Sequence, residues 1–126
     1  GVSLMRAGLF SDARAVFEKR LARPEPGNRG HAHRSLGHLE LYRGQFELSA
    51  DHCRQAVTLH NAAGYPASVA RDHIFEAYAE IARGHIEDAA TALSQAEETM
   101  PSDAGSLPFH VNIAMAYLAA GKTHLQ

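Results

Sequence analysis

The chain resembles itself at an offset of forty residues, and no other feature constrains its fold as strongly. Sliding 33–56 onto 73–96 superimposes eight identical residues over 24 positions: His33/His73, Glu40/Glu80, Arg43/Arg83, Gly44/Gly84, Glu47/Glu87, Ala50/Ala90, Gln55/Gln95 and Ala56/Ala96. Ordinary residue frequencies give about one or two such matches. Leu41/Ile81, Phe46/Ile86 and Cys53/Leu93 are conservative exchanges in the same register. A period of this length belongs to stacked units that cannot bury their apolar faces alone. It favours a partner-binding scaffold over an enzyme.

Gly8, Gly44, Gly84 and Gly121 punctuate the chain at spacings of 36, 40 and 37. Each follows a segment with helical character, and Arg43-Gly44 and Arg83-Gly84 read as helix ends. Glycine accepts the left-handed conformation beyond a helix C-terminus, and arginine in the last turn suits the negative end of the dipole. After the glycines, apolar residues recur at three- and four-residue spacings: Phe10, Ala13, Val16, Phe17 and Leu21; Phe46, Ala50, Cys53, Ala56, Val57 and Leu59; Ile86, Ala89, Ala90, Leu93 and Ala96. These are helical periods with an Ala-rich, helix-favouring composition. Pro24 to Asn28, Gly64-Tyr65-Pro66 and Pro101 to Ser106 act as breakers between pairs. The spacing predicts an all-α chain of about seven helices: 2–7, 10–22, 31–43, 46–63, 67–83, 86–99 and 108–120. Very short turns make the helices of a pair antiparallel neighbours. Gly37/Ala77, Ala50/Ala90 and Ala56/Ala96 are the small residues that let them approach.

With 126 residues the length suits one domain. The hydrophobic fraction of 45% and charged fraction of 21% are those of an ordered globular chain. A net charge of −2 with neutral histidines argues against nucleic-acid or anionic-membrane binding. No apolar run approaches the roughly 20 residues of a spanning helix. The single Cys53 cannot form an internal disulfide, so a cytoplasmic setting is expected. Both ends fall inside the repeat pattern, which reads as a fragment of a longer chain: partial unit 1–24, units 30–63 and 67–100, and partial unit 107–126.

In this register the chain resembles the tetratricopeptide repeat family. The family's pattern of Leu-Gly, a turn glycine, an aromatic and then small, large and small residues is filled by Leu36-Gly37, Gly44, Phe46, Cys53, Ala56 and Asn61. Gly84, Ile86, Ala89, Leu93, Ala96 and Pro101 fill it again. Gly8, Phe10, Ala13, Phe17 and Pro24 match an earlier second helix, and Ile113-Ala114, Tyr117 and Gly121 a later first helix. The spacing departs from the family's usual unit of about 34 residues. His33/His73 and Glu40/Glu80 also stand where the family has aromatics. The longer units and the Tyr42-Arg43-Gly44 and Ala82-Arg83-Gly84 turns look like arrays of bacterial multidomain regulators. The resemblance implies a right-handed superhelical solenoid that binds a protein or peptide along its first helices.

Carried over from the family, the groove would be lined by His31, Arg34 and His38, then Arg71, Ile74, Phe75 and Tyr78, then Asn112, Met115 and Leu118. This would form a mildly basic, partly aromatic channel suited to an acidic or apolar segment. Ile74, Phe75 and Tyr78 read equally as inter-repeat core. A homodimer through exposed terminal helices is the rival reading, with a small-molecule sensor or enzyme ranked third.

Nine histidines are conspicuous. Their spacings repeat no metal-ligand pattern, although the equivalent His33 and His73 would stack in successive units, and no metal or cofactor is expected. They also make a pH-sensitive groove conceivable. Glu40 and Glu80 each precede an arginine by three, which predicts surface pairs worth about 0.2–0.5 kcal/mol. No catalytic motif is present, so no enzyme activity is expected.

Overall fold

The computed structural model describes residues 2–21, 25–103, 105 and 107–125. Among these, the chain is all-α, with six helices and no strand: α1 (Val2–Leu21), α2 (Pro26–Tyr42), α3 (Phe46–Ala63), α4 (Pro66–Ala82), α5 (Ile86–Thr99) and α6 (Leu107–Leu125). The expected bounds of α3 and α5 are reproduced. At the ends the pattern differs. Gly8 does not interrupt α1, and Gly121 lies inside α6, so neither is a turn glycine. One internal glycine costs a helix only about 1 kcal/mol, less than the continuing turns on either side supply. Pro26, expected as a breaker, starts α2 instead, because the first helical position needs no N–H. Pro24, Ala104 and Ser106 lie outside the described residues.

Three turns share one construction. Gly44, Gly64 and Gly84 have φ of 80°, 77° and 79°, the left-handed region that a side chain would strain. The next residue's N–H then reaches back to a carbonyl in the last turn: Gln45 to Glu40 at 2.9 Å, Tyr65 to His60 at 3.0 Å and His85 to Glu80 at 2.9 Å. This satisfies orphan carbonyls and stops the helix abruptly. Packed helices joined by two or three residues run antiparallel.

Each helix packs on the next in sequence, and α2 also touches α4, as α4 touches α6. Thus α2, α4 and α6 form one contiguous layer. On the other side α3 lies against α2 and α4, and α5 against α4 and α6. The core is built of small residues with larger ones between. Ala32, Leu36 and Leu39 of α2 and Ala50, Cys53 and Ala56 of α3 are buried; Ile74, Ala77, Ala89, Leu93, Leu107, Val111 and Ala114 fill the contact of α4, α5 and α6. Burying Leu93 and Leu107 is worth about 1.5–3 kcal/mol each.

Helices α2 and α3 approach closely at Gly37, whose carbonyl accepts the buried Ser49 hydroxyl at 2.6 Å. A Cβ there would lie 2.9 Å from the Cys53 sulfur and 3.1 Å from the Ser49 carbonyl oxygen. Gly37→Ala is therefore expected to destabilise the chain by about 1–3 kcal/mol despite alanine's better helix propensity. Urea unfolding checks this, and an unchanged or raised midpoint would contradict such close packing.

Candidate functional site

The side chains of the α2–α4–α6 layer form a row of rings. On α2, His38 lies 5.0 Å from the ring of Tyr42, and it meets Phe75 of α4 edge-on at 5.0 Å. Phe75 continues to Tyr78 at 6.4 Å, and Tyr78 meets Tyr117 of α6 edge-on at 5.9 Å. These separations fall in the range of attractive aromatic pairs. Tyr42 is 74% exposed, Tyr117 58% and Met115 38%, so the row ends in accessible apolar surface at both sides. Desolvation, and then neighbouring Tyr117, push the Tyr78 hydroxyl's pKa upward, keeping it neutral. An open apolar pocket of about 260 Å³ between α1 and α2 shares His38 and Tyr42 with the row and adds Ala13, Phe17, Ser35 and Leu39.

Charge is sorted between the two sides. No exposed carboxylate occurs on α2, α4 or α6 among the described residues, and Arg29 and Arg71 are exposed there. Six exposed acids lie on α3 and α5, Glu47, Asp51, Glu87, Asp88, Glu97 and Glu98; the other described ones are Asp12 and Glu18 on α1, Glu25 just before α2 and Asp103 after α5.

The residues expected in the groove separate accordingly. His38, Phe75 and Tyr78 are brought together; Arg71, Asn112 and Met115 are exposed on the same layer. Ile74, at 3% exposure, belongs to the core with α5 and α6, as does Leu118. His31 and Arg34 enter a polar network instead. His60, fully buried on α3, bonds through Nδ1 to the Asp72 carboxylate at 2.5 Å, while its Nε2 faces His31 Nδ1 at 3.2 Å. Arg34 Nη2 donates to His31 Nδ1 at 3.1 Å, and its Nη1 lies 3.6 Å from Asp72 Oδ1. Burial raises the pKa of Asp72 and lowers that of Arg34, and in each case the opposite charge partly offsets the shift. Gly30 is needed here, since a Cβ would come within 2.6 Å of His60 Nε2. Asp72 and His60 carried no sequence signal, because nothing in their spacing reveals that α3 and α4 face each other there.

Glu40 and Glu80 are a correction. Their pairs with Arg43 and Arg83 form, at 3.3 and 3.0 Å, but both carboxylates are buried at 1% exposure rather than lying at the surface. Each also receives an arginine from the preceding helix, Arg14 for Glu40 and Arg54 for Glu80. Arg14 and Arg54 are themselves forty residues apart, so the whole clamp repeats with the period. Desolvation opposes the charge of Arg54, yet hydrogen bonds to Asp51 and Glu80 raise its pKa overall.

His33 and His73 do not meet. His33 Nδ1 faces His52 Nδ1 at 3.0 Å, whereas His73 bonds Glu76 on its own helix at 3.0 Å. Burial, then His52 and Arg29, depress the His33 pKa from 6.5 to about 4; burial also lowers His38 and His52.

Compared with known proteins, the chain matches no family model, no curated protein and no solved structure.

A histidine held neutral in the folded state takes up protons on unfolding, so stability falls as pH drops from 6.5 towards about 4. Unfolding free energies measured across that range are expected to decline on acidification, with a smaller slope in His33→Gln. An identical slope in the variant would contradict the assignment.

Proposed function

We propose that this chain is a non-catalytic, tetratricopeptide-like solenoid that binds a protein or peptide segment along the α2–α4–α6 layer. The observation that carries this reading is the row of rings from Tyr42 through His38, Phe75 and Tyr78 to Tyr117, which crosses three helices distant in sequence. Aromatic side chains give large contact area at little entropic cost and are enriched among residues that dominate binding energy. The packing of every second helix, the repeated left-handed turns and the repeated Glu–Arg clamp support stacked units of helix pairs. Sorting of the exposed acids onto the other helices favours a partner with acidic and apolar side chains. The resemblance to arrays in bacterial regulators supports reading it as a cytoplasmic scaffold within a larger regulatory protein.

Selection from a random phage-displayed peptide library tests the face. Tyr42→Ala combined with Tyr117→Ala removes two exposed rings and leaves the core intact. It is expected to weaken the selected peptides by about 2 kcal/mol or more, roughly thirtyfold. Glu87→Ala with Glu98→Ala, on α5, is expected to leave them unchanged. Peptides that depend on the α5 pair and ignore the tyrosines would refute this assignment of the face.

A further inference from the structure

The turn between α4 and α5 gathers three metal-ligating side chains that the peptide-binding reading does not use. Glu80 Oε2 lies 3.1 Å from His85 Nδ1, and Asp88 Oδ2 lies 3.7 Å from the same nitrogen. All three ligand atoms fall within 4.8 Å of one another. Bonds of about 2.0–2.1 Å in a tetrahedron give ligand–ligand edges of about 3.3–3.4 Å, which the two separations from His85 bracket. We propose that Glu80, His85 and Asp88 form a surface site for a divalent transition-metal ion of the zinc class.

Glu80 is buried and fixed. Its Oε1 takes Arg54 at 3.3 Å and Arg83 at 3.0 Å, leaving Oε2 turned towards His85. Such outer contacts orient a ligating carboxylate and hold it ready. His85 and Asp88 are 45% and 73% exposed, so an ion has an open approach and a fourth position for water. An open recess of about 350 Å³ lined by Gly84, His85, Ile86, Glu87 and Asp88 adjoins them.

Electrostatics favours a cation despite the two arginines. The linked ion-pair network holds four carboxylates, Asp51, Glu76, Glu80 and Asp88, against the guanidiniums of Arg54 and Arg83. With neutral histidines, that leaves two negative charges, which one divalent ion neutralises. The equivalent turn of the first unit differs in kind. Its Gly44 has the same backbone, but Gln45 and Leu48 replace His85 and Asp88, and the ion pairs of Glu40 are with Arg14 and Arg43. The backbone of the turn is therefore common to the repeat, whereas the ligand set is particular to the second copy.

Isothermal titration of the intact chain with zinc chloride near neutral pH tests the site. One equivalent is expected to bind, with affinity falling about tenfold or more in either His85→Gln or Asp88→Asn. Circular dichroism verifies that these exposed substitutions leave the fold intact, and cobalt(II) in place of zinc is expected to give a visible absorption band that the same variants lose. His33→Gln is expected to leave binding unchanged. Absence of stoichiometric binding, insensitivity to both substitutions, or loss through His33→Gln, which would assign the ion to the His33–His52 pair, each overturns the proposal. None of these readouts involves the aromatic row, so the peptide-binding reading stands or falls separately.

Discussion

A carboxylate taken out of water must be met by cations, and two of them organise this chain. Glu40 and Glu80 are buried where helix layers meet, and each is reached by one arginine three residues on and another from the helix before. The desolvation cost of such a group is several kcal/mol and is offset only while the partners stay in register. Arg54 therefore ties α3 to α4, and Arg83 ties the end of α4 to the turn that follows. The backbone carbonyl of the same Glu80 receives the turn's N–H. One residue anchors both the helix end and the junction between successive helices.

That anchoring sorts the molecule into two sides. The acidic side chains of α2 and α4 are drawn inward to Arg34, Arg54, Arg83, Arg14 and His60, which leaves the surface of that layer without exposed carboxylates. Its accessible side chains then include rings, Met115, Asn112 and the cations Arg29 and Arg71. Six exposed acids lie on α3 and α5, and the other described ones are Asp12 and Glu18 on α1, Glu25 just before α2 and Asp103 after α5. Polar requirements of the interior thus determine the chemistry of both outer faces.

Much of this was legible in the residues. The forty-residue period, the glycine turns and the apolar spacing located α3 and α5 to the residue, because strong periodicity bounded by Gly44, Gly64 and Gly84 leaves little freedom. The ends were less legible, since Gly8 and Gly121 are internal glycines that continuing helix can absorb. Burial of Glu40 and Glu80 was missed because a Glu–Arg spacing of three looks the same at a surface; Arg14 and Arg54, also forty apart, were the signal that distinguishes the two. His38, Phe75 and Tyr78 were expected on one face from the family resemblance, which also put Ile74 there, a residue that the structure buries in the core. Tyr42 follows His38 by four on the same helix, so its place in the row was also within reach of local register. The Asp72–His60–His31–Arg34 network depends on how α2, α3 and α4 lie against one another. Local periodicity carries no such information.

The unit-joining role of the clamp is tested most directly by a double-mutant cycle on unfolding free energy with Arg54→Ala, Glu80→Gln and the pair together. Neighbours in one buried network couple by about 0.5–3 kcal/mol. Because Glu80 is buried and its interaction with Arg54 crosses from α3 to α4, the coupling is expected in the upper half of that range, with Glu80→Gln alone the costlier change. A coupling indistinguishable from zero would mean that the repeat is held by apolar packing alone and that the carboxylate clamp is incidental.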